Sequence, residues 1–225
     1  MHLLAVFLIR RMVLAAMLMA ALAMVVLASC GRVETTITGE TMSTTYMVKV
    51  VADRFARTSH LQALIEDRLE AVNKSMSTYR PDSELSRFNA LERAGVPFMP
   101  SPDFLAVMRA AAEIHAATDG AWDGTLDPLI TLWGFGRNQQ SGRVPTPEEI
   151  GALLTRVDFG RILITPDGRM VKGDGRLSLD LASIAKGYGV DAIARLLDDQ
   201  GYTDFLVEVG GEVYAAGLRP DGKPW

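Results

Sequence analysis

Cysteine occurs once in the 225 residues, at position 30, and histidine three times, at positions 2, 60 and 115. A lone thiol excludes an intramolecular disulfide, so the fold must be held by its core. Three scattered histidines do not readily build a His/Cys zinc centre or a Ser-His-Asp hydrolase. Any metal would have to use carboxylates, hydroxyls and carbonyls. Basic excess is missing too, with 23 Lys and Arg against 27 Asp and Glu and a net charge of −4. Setting aside residues 1–29, whose only charges are Arg10 and Arg11, lowers it to −6. That balance argues against nucleic acid or a polybasic membrane surface and for a small ligand or a protein partner.

The single cysteine is placed tellingly. Arg10 and Arg11 precede an apolar run from Met12, which ends in Leu27-Ala28-Ser29-Cys30. Basic region, apolar core, small residues and cysteine, in that order, describe an exported precursor. Leu-Ala-Ser-Cys resembles the bacterial lipobox, which implies cleavage before Cys30 and lipid on its sulfur. The other reading is an uncleaved anchor, since Met12 to Ser29 is about long enough to span a bilayer. The expected organisation is a lipoprotein signal peptide at 1–29, a tether at 30–38 and one domain at 39–225, lipid-anchored in the cell envelope and facing the periplasm.

Along the domain, Thr45 to Val51 reads as a strand, and Leu61, Leu64, Ile65, Leu69 and Val72 form a helical stripe. Ser101-Pro102-Asp103 starts a helix with a cap, a proline at the first position and an acid near the positive dipole end; it should reach about Thr118 and stop at Gly120. Thr146-Pro147-Glu148-Glu149 repeats the device with a glutamate placed for a capping box. Pro166-Asp167-Gly168 between two apolar runs predicts a hairpin, and Phe205–Val209 and Val213–Ala216 predict two more strands around Gly210-Gly211. The mixture predicts an α+β domain whose sheets are covered by helices.

The richest stretch runs from Asp180 to Asp191, Asp-Leu-Ala-Ser-Ile-Ala-Lys-Gly-Tyr-Gly-Val-Asp. It follows an apolar run and opens an amphipathic pattern, so it reads as strand, tight turn and helix. A helix start offers N–H groups and a positive dipole end to a phosphate, and Lys186 adds a cation. Asp180 and Ser183 bring oxygens to the same end, as a hard cation requires. The same residues also suit a plain packing turn, and the run alone does not separate the two. Its glycine spacing is neither that of the dinucleotide fingerprint nor that of the P-loop.

Three further segments accompany it: Met42-Ser43-Thr44-Thr45-Tyr46; the run from Met76 to Asn89 containing Ser77-Thr78-Tyr79-Arg80-Pro81; and Gly120-Ala121-Trp122-Asp123-Gly124-Thr125-Leu126-Asp127-Pro128. In this order and spacing the four resemble the ApbE-type flavin transferases, FAD:protein FMN transferases, from about Gly39 to Trp225. The resemblance implies an α+β domain that takes FAD with Mg²⁺, releases AMP and joins FMN to a Thr or Ser hydroxyl of an exported or membrane redox protein. It implies flavin-nucleotide contacts from Met42, Tyr79, Ala121, Trp122, Asp123, Asp180 and Lys186, with turnover depending on Asp180 and a metal contact from Ser183. Trp122 is expected to serve through its backbone, with its side chain in the core. Asp123 has a second reading as a turn cap, Asp127 as metal ligand or helix cap, and Trp133 and Phe135 are read as packing. Family members continue past the segment resembling Gly217–Trp225, so the expectation is a C-terminally truncated, inactive transferase with half a metal site and an exposed sheet edge. FAD hydrolysis and FAD binding without turnover are the alternatives.

Overall fold

The computed structural model describes residues 31–136 and 143–225, with Met12, Met17 and Met19. Cys30 and the rest of the leader lie outside the described residues. Four strands, β1 (Arg32–Thr41), β2 (Thr44–Asp53), β6 (Phe205–Val209) and β7 (Glu212–Ala216), form an antiparallel sheet in the order β1-β2-β6-β7. A smaller sheet has the order β3-β5-β4, from Pro97–Phe98, Met170–Lys172 and Ile162–Ile164 respectively. The helices are α1 (Leu61–Met76), α2 (Glu84–Asn89), α3 (Pro102–Ala117), α4 (Asp127–Leu132), α5 (Pro147–Leu154) and α6 (Ala182–Asp199). Helices and antiparallel sheets together make an α+β fold.

Alternation decides the sheet's inner face. Tyr46, Val48 and Val50 of β2 are buried and lie opposite Val209, Val207 and Phe205 of β6. Leu61, Ile65 and Leu69 of α1 and Val190, Ile193 and Leu197 of α6 close over that face. Each such side chain contributes about 1.5–3 kcal/mol by leaving water. A second core holds Val72, Phe88, Phe104, Met108, Met170 and Leu179, with Phe88, Phe98 and Phe104 meeting edge to face. Helix α6 serves both cores, because Ala185 and Ala192 face the second while Val190 and Ile193 face the sheet. Its start is thereby fixed between them.

The helix signals work as expected. Ser101 accepts from the Phe104 N–H, and Thr146 and Glu149 exchange both bonds of the capping box. Asp103 does more than complement a dipole: it pairs with Arg68 of α1 and accepts from the Tyr188 hydroxyl of α6 at 2.6 Å, tying three helices. The Arg68 guanidinium holds the Asp103 carboxyl below the usual range.

The expected tether is a correction: residues 32–41 form β1, with ten registered pairs from Arg32↔Asp53 to Thr41↔Thr44. Its polarity misleads because only one face of this edge strand packs, with Ile37 and Thr41 buried, and β-branched Thr35, Thr36 and Thr38 suit a strand whose other face is wet. Trp133 and Phe135 are the other departure. They are 44% and 68% exposed, and no residue of α4 is buried.

Candidate active site

The β1–β2 turn is two residues long, and both sit in the left-handed region, Met42 at φ 49° and Ser43 at φ 58°. Such turns favour Asn-Gly, so Met and Ser here carry strain of about 1 kcal/mol each. The strained tip forms one wall of a cavity of about 310 Å³. The C-terminal turn of α1 supplies Val72, Asn73 and Met76, the following loop Ser77 to Arg80, and the first turns of α6 Ala182, Ala185 and Lys186. Three expected contacts, Met42, Tyr79 and Lys186, thus converge from segments far apart in sequence.

Their surroundings suit a flat, anionic ligand. Tyr79 is 61% exposed at the cavity, and an aromatic face and a thioether offer surfaces for stacking. Gly210 makes a close backbone approach. A Cβ there would stand 2.8 Å from Thr44 Cγ2 and 3.2 Å from Lys186 Cδ, so the β6–β7 turn lies along the lysine stem. Glu208 closes that turn by accepting from the Gly211 N–H at 2.6 Å. Asn73 and Arg80 also line the cavity. Asn73 donates to Thr41 Oγ1 at 3.1 Å, and Arg80 is held by Glu70 at 2.7 Å and Asp82 at 3.3 Å. The clue to Asn73 was its place between Val72 and Met76 on the inward face of α1, where an amide needs a reason.

Asp180, Ser183 and the 121–123 segment form a second cluster at the start of α6, outside the lining of that cavity. Leu181 is the N-cap and gives no side-chain bond, so Asp180 takes over: its Oδ1 accepts from the Ala182 N–H at 2.8 Å. The Asp180 N–H donates to the Gly124 carbonyl at 2.9 Å, joining the two segments. Ser183 is exposed, and its Oγ accepts from Trp122 Nε1 at 3.2 Å.

Within 121–123 each residue makes bonds inside the fold. Ala121 donates its N–H to the Thr118 carbonyl in the turn after α3. Trp122 has its backbone N–H bonded to Thr118 Oγ1 at 3.1 Å and its carbonyl to His115 Nδ1 at 2.8 Å, while its side chain packs against the core as expected and its indole N–H reaches the helix start. The Asp123 carboxylate accepts from the Thr125 N–H at 2.7 Å, the Thr125 hydroxyl and the Phe159 N–H at 2.9 Å. With both oxygens bonded to backbone and a buried hydroxyl, the Asp123 carboxylate anchors the fold, as its reading as a turn cap expects. Asp127 accepts from Ser178 Oγ at 2.6 Å in the first turn of α4.

A divalent cation does not find a closed site here. Among the described residues no group of three or more His, Cys, Asp or Glu side chains is placed to hold one. Asp180 and Ser183 offer oxygens at one helix start, fewer than the six that Mg²⁺ takes.

Residues 42–225 match the family model described as the ApbE family. A Vibrio cholerae protein described as FAD:protein FMN transferase is 43% identical over 191 residues, which cover 84% of this chain and 56% of that one. A Haemophilus influenzae protein with the same description is 38% identical over 194 residues, covering 84% and 56%. The solved flavin transferase ApbE from Vibrio cholerae superposes with a TM-score of 0.82 at 40% identity, over 86% of this chain and 62% of that one. The apo flavinyl transferase ApbE of Pseudomonas stutzeri does so with 0.80 at 38% identity, over 87% and 64%. The chain spans about half the length of the curated relatives it matches.

Proposed function

The chain belongs to the ApbE family, and from that premise we propose that it serves to transfer FMN from FAD to a Thr or Ser hydroxyl of an acceptor protein. The hydroxyl oxygen forms the new bond to the FMN phosphorus and loses its proton; the pyrophosphate bond breaks, and AMP leaves with its electron pair. The observation that carries this reading is the convergence of Met42, Tyr79 and Lys186 on one cavity at the start of α6.

Each residue has a stated task. Tyr79 and Met42 hold a flat ring by stacking. Lys186 neutralises phosphate charge and, with the α6 dipole, orients the bond to be broken. Asp180 organises the helix start by accepting from Ala182. Its negative charge shares that start with the phosphate, which is the physical ground for including Mg²⁺ in the proposal, since bridging charge neutralisation is what phosphoryl transfer needs. The described side chains do not close a cation site, so their own part is to bind and orient.

The acceptor in this reading is an exported or membrane redox protein, and the reading includes a lipid anchor at Cys30, whose leader resembles that of a lipoprotein. Incubation of a form extended to the full length of the relatives with FAD, Mg²⁺ and a candidate acceptor tests the function. Flavin fluorescence remaining on the denatured acceptor is the expected result. AMP release without labelling would replace the reading with FAD hydrolysis, and retained FAD with neither product would reduce it to binding.

A further inference from the structure

Trp122 is fixed from several sides. Its ring packs edge-on against Phe159 at 5.8 Å, its N–H donates to Thr118 Oγ1, and its carbonyl accepts from His115 Nδ1. So held, the indole directs its one polar hydrogen, on Nε1, to Ser183 Oγ. Packing alone does not account for this bond, because a phenylalanine would fill much of the same space without it. An indole N–H only donates, so it occupies a lone pair of the Ser183 oxygen, and the hydroxyl hydrogen must seek another acceptor. Ser183 is exposed in the first turn of α6, so its hydroxyl hydrogen is open to solvent or to a ligand at that helix start.

We propose that Trp122 is a positioning residue whose indole N–H turns the Ser183 hydroxyl outward as a hydrogen-bond donor to a phosphate oxygen of FAD. The proposal rests on the reading of the α6 start as the phosphate end of the site. A donor already accepting a hydrogen bond is polarised by it, so the Trp122–Ser183–phosphate chain is stronger than its last link alone. The consequence is specific: Trp122 acts on the phosphate end and through Ser183.

A double-mutant cycle read by calorimetry decides it, with FAD and with riboflavin, which has no phosphate. Trp122→Phe keeps the ring against Phe159 and should weaken FAD binding about five-fold, the worth of one hydrogen bond. Ser183→Ala should weaken it at least as much, the double variant no further than Ser183→Ala, and riboflavin binding should be unchanged throughout. Wild-type FAD affinity in Trp122→Phe beside a loss in Ser183→Ala would overturn the positioning role and leave the phosphate site standing. Additive losses, or a parallel loss of riboflavin binding in Trp122→Phe, would also overturn it, showing that Trp122 acts by another route. No effect of Ser183→Ala, or no FAD binding by the wild-type chain, would remove the phosphate reading and the inference with it.

Discussion

The Cε methyl of Met42 lies so close to Gly189 that a Cβ on the glycine would stand 3.0 Å from it. Gly189 is buried inside α6, where glycine costs about 1 kcal/mol relative to alanine. The glycine therefore weakens its helix and leaves room for the thioether at the cavity wall. Gly189→Ala should hold or raise the melting temperature, since a methionine end yields easily, while displacing Met42 and lowering FAD affinity several-fold. Thermal melts beside calorimetric titration check both signs; unchanged affinity would show that Met42 does not touch the ligand.

Ser43 gives the complementary test of strain. At φ 58° a side chain is disfavoured and glycine is not. Ser43→Gly should stabilise the fold by about 1 kcal/mol, since it completes the turn this hairpin length prefers. Equilibrium denaturation measures it, and a destabilised variant would mean that the Ser43 side chain makes compensating contacts.

Local signals were legible in the sequence and distant ones were not. The limits of α3 follow from Ser101, Pro102 and Gly120, and the β4–β5 hairpin from Pro166-Asp167-Gly168, because caps and turns act within a few residues. The polar strand β1 escaped because its order comes from the ladder to β2 and its burial from little more than Ile37. Met42, Tyr79 and Lys186 stand out in their motifs, and the structure brings the three to one cavity. The Asp123 carboxylate accepts from the Phe159 N–H, 36 positions away, and the Trp122–Ser183 bond spans 61. Neither separation leaves a local trace.

Lys172 predicts a pH dependence unrelated to the site. It is 1% exposed in β5, its Nζ donates to the carbonyls of Asn89 at 2.9 Å and Leu91 at 3.1 Å, and burial pushes its pKa down from 10.5 to about 8. A neutral amine still has two N–H donors for two carbonyls. Below pH 8 both folded and unfolded chains are protonated and the cost of the buried charge is fully present. Between about pH 8 and 10.5 the unfolded chain binds more protons, so this lysine makes stability rise with pH, by up to about 1.4 kcal/mol per unit. Comparing denaturation of wild type and Lys172→Met across pH 7 to 10 cancels the other groups. A difference that stays flat would contradict the lowered pKa.

Lys186 and Asp123 should separate binding from folding. Lys186 lines the cavity with its stem along the Gly210 turn, and Lys186→Met keeps that stem while removing the charge. A charge-assisted bond to phosphate is worth about 1.5–3 kcal/mol, so FAD affinity should fall at least ten-fold with little change in melting temperature. Asp123→Ala should do the reverse. It strips the acceptor from the Thr125 N–H and hydroxyl and from the Phe159 N–H, leaving donors unsatisfied and costing about 2–3 kcal/mol or more of stability. The lost stability should appear in denaturation even without flavin. At a temperature where the variant remains folded, its FAD affinity should stay near wild type; a ten-fold loss of affinity with an unchanged melting temperature would place Asp123 at the nucleotide site.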